Sequence, residues 1–519
     1  MVAGVAWAAL QLQLALLLSL IPLALWHLVW RPRAMASSLA RQGLRGSPYC
    51  FLLGSMPEAN RLVAAAGRRG APPLNAGSHD IVPMLLPLFH AWVAKYARVG
   101  IMFQGRTFLY WIGPIPAIFT IELELIKQVL TDRSGMFRKD FIIPVMKTLI
   151  GNGLVLINGD DWKRHRKVVL PAFKHDKLKC MSLVTAEVTG QMIQQWHDET
   201  KQCDGEAAEI DLIPALNDLT AEIISRVAFG MRQSQQVVEA KEVLCIMREI
   251  EKICATGVLQ APIQWRQDHG HHASSGATED AKGSHSQGYG DDLIGLLLDA
   301  WLSEQPGSGK TLSTQEVIDE FKTFAVGQET TATLIVWAMF LLSVHPQWQE
   351  KVREGILREC PGCELLGADV LGKLKLLHMV LLETSRLYPS FVYIQRRTSS
   401  DVLLGGISVP QGTVISIPII MLHRDKEIWG PDADEFNPAR FENGVSRAAN
   451  DPKALLSFSL GPRACIGQNL GIMEAQVVIA MILRKFSFTL SPKYVHKPKF
   501  LIALTPKLGT PLIVRNMTG

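Results

Sequence analysis

The feature that most restricts the fold is an N-terminal segment without charge. From Val2 to Trp30 the chain contains no Asp, Glu, Lys or Arg. This segment exceeds the ~20 apolar residues that cross a bilayer as a helix. Tryptophans at its end and arginines directly after it favour a cytosolic position for the rest of the chain. We therefore predict a membrane anchor over residues 1–30. A cleaved signal peptide is the alternative, and it fits less well because no basic residue precedes the apolar run.

Composition indicates that the rest of the chain is globular. The protein has 519 residues, 48% of them hydrophobic, and a formal net charge of +5, which fits a large buried core. The weak and scattered positive charge argues against nucleic acid as a partner. Eight cysteines in a chain of this length do not make a disulfide scaffold, so a reducing compartment is expected. A basic hinge with Gly and Pro is predicted over 31–55, and one catalytic domain over 56–519.

The spacing of apolar residues predicts a mainly α domain with a small β-rich region. Predicted helices cover Asp211–Gly230, Thr314–Val344, Pro346–Glu359, Leu371–Leu387 and Gly471–Phe486. Predicted strands cover Phe108–Ile112, Ala117–Thr120, Ile407–Val409 and Val414–Ile417. Residues 266–292 are rich in Gly, Ser, His and Asp. Because such a segment has little apolar surface to bury, it is expected to form a mobile surface loop.

The strongest chemical signal is the segment F-S-L-G-P-R-A-C-I-G, from Phe458 to Gly467. A buried thiolate needs nearby positive charge and backbone N–H donors, and a helix that begins just after Cys465 would supply its positive end. Gly461 and Gly467 allow the backbone to turn sharply and approach a flat ring. Arg463 can pair with a carboxylate of a haem. The segment therefore favours Cys465 as an iron ligand, and a merely buried cysteine is the alternative.

An acid followed by an alcohol lies inside an apolar helix further upstream. Glu329 and Thr330 are costly to bury there unless they are used. Thr330 can hydrogen-bond dioxygen or a water beside it, and Glu329 can relay protons. A threonine that merely bonds to a carbonyl of its own helix is the alternative.

The Cys465 segment resembles the haem loop of the cytochrome P450 superfamily, and further motifs occur in the order that this resemblance implies. Glu383 and Arg386 match its E-x-x-R motif, in which residues at i and i+3 share one helical face. Taken alone, such a pair would more often be a solvated helix face. Arg440, in F-N-P-A-R-F, matches the arginine that completes this ion-pair network.

Three more residues match positions that contact the haem propionates in this superfamily. Trp162 and Arg166 match its W-x-x-x-R motif, and Arg396 stands where another propionate-binding arginine is expected. Phe458, Gly461, Arg463 and Gly467 match the haem loop around the iron ligand Cys465. Segments such as His79–Ile81 and Leu170–Phe173 resemble a plant group that includes cytokinin hydroxylases, gibberellin-modifying enzymes and fatty-acid hydroxylases.

The resemblance implies a cytochrome P450 fold that holds haem b behind an N-terminal transmembrane helix. It implies insertion of one oxygen atom from dioxygen into a C–H bond of a small apolar substrate, such as a plant hormone, a terpenoid or a fatty acid. Electrons would come from NADPH through a reductase partner. The expected location is the endoplasmic reticulum membrane, with a single pass and a cytosolic domain. The alternatives are a haem-thiolate isomerase or lyase that does not use dioxygen, and a non-catalytic relic.

Two segments depart from the superfamily pattern. Residues 99–104 interrupt what is usually a short link to the first strand. Residues 266–292 occupy a region where relatives carry a helix over the substrate entrance. We hypothesise that either segment reflects an imperfect gene model. Separately, Cys360 and Cys363 form a C-x-x-C pair without other zinc ligands or a redox context, and they predict a surface turn with two thiols.

Overall fold

A computed structural model describes residues 19–68, 75–96, 106–140, 151–203, 207–228, 230, 293–302, 312–362, 367–500 and 503–517. Residues 1–18 of the predicted anchor lie outside these ranges. The departing segment 99–104 and the predicted loop 266–292 lie outside them as well.

Helices dominate the described residues. In chain order, those of eight residues or more are α1 (Arg31–Arg41), α2 (Met56–Arg68), α3 (Pro87–Tyr96), α4 (Leu123–Leu130), α5 (Gly159–Val169), α6 (His175–Gln202), α7 (Leu212–Val227), α8 (Leu293–Leu302), α9 (Thr314–Val344), α10 (Pro346–Glu359), α11 (Lys375–Leu387) and α12 (Gln468–Lys485). Shorter helical turns are Val82–Leu85, Leu170–Phe173, Ala368–Leu371, Ile419–Leu422, Lys426–Trp429, Pro438–Phe441, Val445–Arg447 and Gly461–Arg463.

The strands are short and form small sheets. They are β1 (Thr107–Ile112), β2 (Ile115–Thr120), β3 (Phe137–Arg138), β4 (Ala207–Asp211), β5 (Ile394–Thr398), β6 (Val402–Leu404), β7 (Ile407–Val409), β8 (Val414–Ile417), β9 (Phe486–Leu490), β10 (Pro498–Phe500), β11 (Leu504–Pro506) and β12 (Pro511–Asn516). The largest sheet has the order β1-β2-β8-β5-β3, and a second has the order β4-β12-β9. Only β2 and β8 pair in parallel among the described strands.

The long helix α9 forms the centre of the core. It begins with a capping box in which Ser313 and Glu316 satisfy each other's backbone N–H groups, a common helix start. Among the described residues, α9 is the one helix long and apolar enough to cross a membrane by length and composition. Because 78% of its most apolar window is buried, it also has the character of a core helix, apolar on all sides.

The predicted strands and most predicted helices are confirmed within a few residues. The prediction over Leu371–Leu387 is corrected, since a short turn ends at Leu371 and α11 begins at Lys375. Gly372 follows the turn, and glycine has a low helix propensity. The strands β7 and β8 do not pair with each other: β7 pairs with β6, and β8 joins the large sheet.

The predicted hinge contains ordered helix. Residues 19–41 are continuously helical, with a π-helical turn over Trp26–Trp30. In α1, Pro32, Met35 and Leu39 are buried, and the helix packs against β2 and β7. The Tyr49 hydroxyl donates to the Leu28 carbonyl. Part of the segment 31–55 therefore packs against the rest of the structure, because the apolar side chains between its arginines are buried against β2 and β7.

The prediction that Cys360 lies in a surface turn is wrong. Its exposure is only 1%, and it belongs to the main hydrophobic core. The residue caps the end of α10 and packs inward like other small apolar side chains. Cys363 lies outside the described residues.

Candidate active site

The segment around Cys465 forms a tight loop that ends in a helix. A short turn over Gly461–Arg463 precedes Cys465, and α12 begins three residues after it. The Cys465 N–H donates to the Phe458 carbonyl over 2.9 Å. Gly461 has a φ of +74°, and a Cβ there would lie 2.3 Å from the carbonyl oxygen of Leu130. Glycine is therefore required at 461 both for its backbone conformation and for this close approach.

The loop directs N–H groups and cations at the sulfur. Burial raises the pKa of the Cys465 thiol, while the N–H groups of Gly467 and Gln468 and the nearby charges of Lys139 and Arg166 oppose that rise. A sulfur with these neighbours is suited to bind a metal ion as a thiolate, since bound metal removes the proton that burial favours.

Cations from different parts of the chain meet beside this loop. Arg166 donates to the Ala464 carbonyl over 3.4 Å. The guanidinium of Arg463 lies 4.7 Å from the ring centroid of Trp162, and that of Arg166 lies 5.4 Å from it. The structure thus brings together the predicted residues of α5 and of the Cys465 loop, with Trp162 between two guanidinium groups.

Two further cations, Lys139 and Arg396, complete this group. Burial lowers the pKa of Arg396 to about 10, and burial together with Arg396 and Arg166 lowers the pKa of Arg463 to about 9. Burial and the charges of Arg396 and Arg463 hold the pKa of Lys139 well below its ordinary value. Within the described part of the chain, no carboxylate pairs with any of these cations.

An anionic ligand would therefore stabilise the charged forms of these clustered basic side chains. A haem b fits this requirement, because its two propionates supply the negative charge and its iron accepts the Cys465 thiolate. The thiol and the clustered basic side chains agree with a dianionic, iron-containing group at this place.

Sequence reasoning missed Lys139, which lies just before residues that are not described. In the sequence it stands in F-R-K-D, a pattern typical of an exposed turn. Its backbone N–H donates to Oδ1 of Asn158 over 2.9 Å, and Asn158 also accepts from Arg463 over 3.4 Å. This contact between distant segments has no signature in the local sequence.

The predicted ion-pair network is present and buried. The guanidinium of Arg386 meets the carboxylate of Glu383 through two contacts of 2.7 Å. Nε of Arg440 lies 3.7 Å from Oε1 of Glu383, and the same guanidinium contacts Asp432 over 2.8 Å. Arg386 also donates to the carbonyls of His423, Ala433 and Glu435. It therefore fixes the irregular segment between β8 and the Cys465 loop.

His423, which the sequence did not single out, links this network to the Cys465 loop. Its Nδ1 lies 3.0 Å from the Arg386 carbonyl, and its Nε2 accepts from the Leu456 N–H over 2.9 Å. These partners define one tautomer, with the proton on Nδ1. Burial and the charge of Arg386 lower the pKa of His423 to about 3, so the ring is neutral and can keep both bonds.

The centre of α9 approaches the start of α12. A Cβ on Gly471 would lie 3.3 Å from Oγ1 of Thr331, and Gly471 follows Cys465 by less than two turns of helix. Gly327 is exposed, and a Cβ there would have no heavy atom within 4 Å. The Thr330 hydroxyl donates to the Gly327 carbonyl over 2.8 Å, which leaves its oxygen able to accept. Glu329 is half-buried beside it.

His165 joins α5 to α9 from within the protein. Its Nδ1 lies 2.6 Å from Oε1 of Glu320, and its Nε2 lies 3.2 Å from Oε1 of Glu316. Burial by itself would lower the pKa of His165, but the hydrogen bonds that the ring donates to both glutamates outweigh burial and raise it. Because Trp162 and Arg166 stand on the same helix, His165 holds their part of the candidate site against α9.

We expect this contact to weaken as the pH rises. A histidine whose pKa is higher in the folded than in the unfolded protein stabilises the fold below the unfolded value of about 6.5, and loses that effect as the pH rises through the folded value. Denaturant unfolding from pH 6 to pH 9 should show this loss for the wild type and a smaller pH dependence for His165→Gln. If His165→Gln shows the same pH dependence as the wild type, then His165 does not cause the loss of stability.

Comparison with known proteins agrees with this geometry. The family model described as Cytochrome P450 matches residues 101–512. Cytochrome P450 709B1 of Arabidopsis thaliana is 37% identical over 508 residues, which cover 94% of this chain and 95% of that protein. Cytochrome P450 734A1 of Arabidopsis thaliana is 35% identical over 532 residues, covering 98% and 97%. Cytochrome P450 CYP72A616 of Paris polyphylla is 35% identical over 504 residues, covering 94% of each.

These matches assign the chain to the oxidoreductases of the monooxygenase class. The chain belongs to the cytochrome P450 family, which implies a haem cofactor.

Proposed function

We propose that this protein is a haem-dependent hydroxylase of a small apolar substrate, with Cys465 as the iron ligand. The observation that carries the proposal is the convergence of the Cys465 thiol with four cations that lack a carboxylate partner among the described residues. The haem, when bound, supplies the chemistry that activates dioxygen for insertion into a C–H bond. The electrons come from NADPH through a flavin-containing reductase.

The residues beside the thiol hold the cofactor. Arg166, Arg396 and Arg463 bind the propionates, with Trp162 packed between two of these guanidinium groups. Lys139 lies among these guanidinium groups, and burial together with their charge lowers its pKa. The N–H groups of Gly467 and Gln468 stabilise negative charge on the sulfur, and Phe458 fixes the loop through its carbonyl.

On α9, Thr330 and Glu329 manage protons for dioxygen. The Thr330 hydroxyl has a hydrogen-bond acceptor in the Gly327 carbonyl, so its oxygen is oriented to accept a hydrogen bond from a bound water. Glu329 stands next to it and can supply the proton. Because Gly327 carries no side chain, the surface of α9 stays open at this point.

The membrane location is inferred from the N-terminal segment. Residues 2–30 carry no acidic or basic side chain, and Leu20, Ile21 and Leu23 are more than half exposed in the described part of that helix. We place this helix in the endoplasmic reticulum membrane as a single pass, with the catalytic domain in the cytosol and in reach of the reductase. Alkaline extraction of membranes and protease protection test this placement.

The test of function is turnover in membranes that contain a plant reductase. We expect the wild type to consume NADPH and dioxygen and to hydroxylate an apolar compound that shifts its haem spectrum on binding. We expect Thr330→Ala to keep consuming NADPH while hydroxylation falls ~10²-fold and hydrogen peroxide is released, since one proton donor contributes about that much.

Matched variants make this result specific. Thr330→Ser retains a hydroxyl and should retain hydroxylation. Thr331→Ala removes a neighbouring hydroxyl that also bonds to Gly327, and it should hydroxylate as much substrate per NADPH consumed as the wild type. If the wild type instead rearranges a hydroperoxide without NADPH or dioxygen, the protein is an isomerase or lyase and the proposal fails.

A further inference from the structure

A chain of histidine and tyrosine side chains crosses the core beside α9. The Tyr494 hydroxyl lies 2.8 Å from Nδ1 of His496, whose Nε2 lies 3.4 Å from the Tyr388 hydroxyl. That hydroxyl lies 3.0 Å from Nδ1 of His79, and Nε2 of His79 lies 3.5 Å from Nε2 of His345. Widely separated parts of the sequence thus form one continuous hydrogen-bonded chain.

The protons in this chain have two consistent arrangements. A tyrosine hydroxyl and a neutral imidazole each donate one hydrogen and accept another, so every link points the same way, toward His345 or toward Tyr494. In either arrangement, Tyr388 donates its hydrogen to an imidazole. Burial lowers the pKa of His79 to about 3 and that of His496 to about 4, so both rings are neutral, and a proton that one nitrogen receives has to leave from the other nitrogen.

The chain also connects the buried tyrosine with the surface. Tyr388, His79 and His496 are buried, whereas His345 and Tyr494 at the two ends are only half-buried. Histidine is an effective proton shuttle because its two nitrogens can receive and release protons on opposite sides. A proton released at Tyr388 therefore has a route toward solvent through groups already in hydrogen-bond contact.

An aromatic stack links Tyr388 to the candidate site. The rings of Trp337 and Tyr388 are stacked, with centroids 4.1 Å apart and an interplanar angle of 18°. Trp337 follows Thr330 on α9 by two turns, about 10 Å along the helix axis. The Ser390 hydroxyl, two residues after Tyr388, donates to the Thr330 carbonyl over 3.3 Å. Electrons can thus pass between the site and Tyr388 through packed groups.

We infer that Tyr388, with Trp337 as the intervening ring, is an internal electron donor that removes oxidising equivalents from the Cys465 site. The inference rests on the proposed function, because the oxidant is the haem after reaction with hydrogen peroxide. A haem held by Cys465 and oxidised by hydrogen peroxide would accept one electron from Tyr388 through Trp337. The O–H bond of Tyr388 breaks, and its proton moves to the imidazole that accepts its hydrogen bond. That imidazole passes the proton on its other nitrogen to the next group of the chain, so the products would be a neutral tyrosyl radical, a proton at the half-buried end of the chain and a haem that carries one more electron.

This chemistry distinguishes Tyr388 from another buried tyrosine in the same protein. Tyr110 is also buried, but its hydroxyl contacts the Ser416 hydroxyl over 2.7 Å. A serine hydroxyl is a poor proton acceptor, so oxidation of Tyr110 would leave a charged product in an apolar surrounding. Tyr110 is therefore a suitable control, because it is buried like Tyr388 but has no imidazole next to its hydroxyl to accept the proton.

The experiment mixes the haem-loaded, full-length protein with hydrogen peroxide, freezes it within milliseconds and records its electron paramagnetic resonance spectrum. We expect an organic radical signal that narrows when the protein is produced with ring-deuterated tyrosine. Tyr388→Phe should lose most of this signal and should lose its haem absorbance faster in peroxide. Tyr110→Phe should match the wild type, and Trp337→Phe should form the radical more slowly.

Two results would overturn the inference alone. One is a signal and a rate of haem loss in Tyr388→Phe equal to those of the wild type. The other, which needs no variant, is a wild-type signal that does not narrow with labelled tyrosine. The carbon monoxide spectrum is recorded first, and a missing thiolate band would overturn the proposed function and this inference together.

Discussion

Cys465→Ser should abolish the red-shifted Soret band of the reduced protein bound to carbon monoxide. A serine hydroxyl does not ionise near neutral pH, so the iron would lose its anionic sulfur ligand and the electron density that this ligand donates. Because serine is close to cysteine in size and shape, the substitution leaves almost no cavity and the fold should remain. Difference spectroscopy and circular dichroism on the same membrane preparation measure both effects, and hydroxylation should fall to background.

The control for this prediction is another free cysteine. Cys180 and Cys203 are exposed and lie on or just after α6, so Cys180→Ser and Cys203→Ser should keep the band at full height. An unchanged band in Cys465→Ser would assign the iron to a different ligand.

Arg386→Ala should lower the free energy of unfolding by ~3–5 kcal/mol, the usual effect of removing one partner of a buried ion pair. The change would leave the carboxylate of Glu383 buried without its partner, and the carbonyls of His423 and Ala433 would lose their donor. Since His423 holds the Leu456 N–H, the Cys465 loop should loosen as well. Denaturant unfolding followed by the haem spectrum would record the two effects together.

An exposed pair of the same spacing is the appropriate comparison. Lys163 and Asp160 also stand at i and i+3, with a contact of 2.9 Å and both side chains mostly exposed. Lys163→Ala should cost at most ~1 kcal/mol. Equal losses in Arg386→Ala and Lys163→Ala would mean that the buried network does not support the loop.

The helices and strands were predictable where residues close together in the sequence decide the local structure. The apolar spacing of α9, the strands β1 and β2, and the helix after Cys465 all depend on residues close in sequence. The residues of the Cys465 loop could be assigned roles because a thiolate ligand imposes strict local needs, namely glycine at 461 and a helix start beyond Cys465. Glu383 and Arg386 were predictable as a pair because i and i+3 share one helical face.

By itself, then, the sequence determined the helical character of the domain and singled out Cys465 as the candidate iron ligand, because both predictions depend on neighbours in the chain. Only the tertiary structure decided that Lys139 joins the cations, that His423 bridges Arg386 to Leu456, and that Cys360 faces the core. It alone also aligned Tyr388 with His79 and Trp337. These contacts join residues that are far apart in sequence, and hydrogen bonding, desolvation and charge repulsion act through space, without a periodic pattern along the chain.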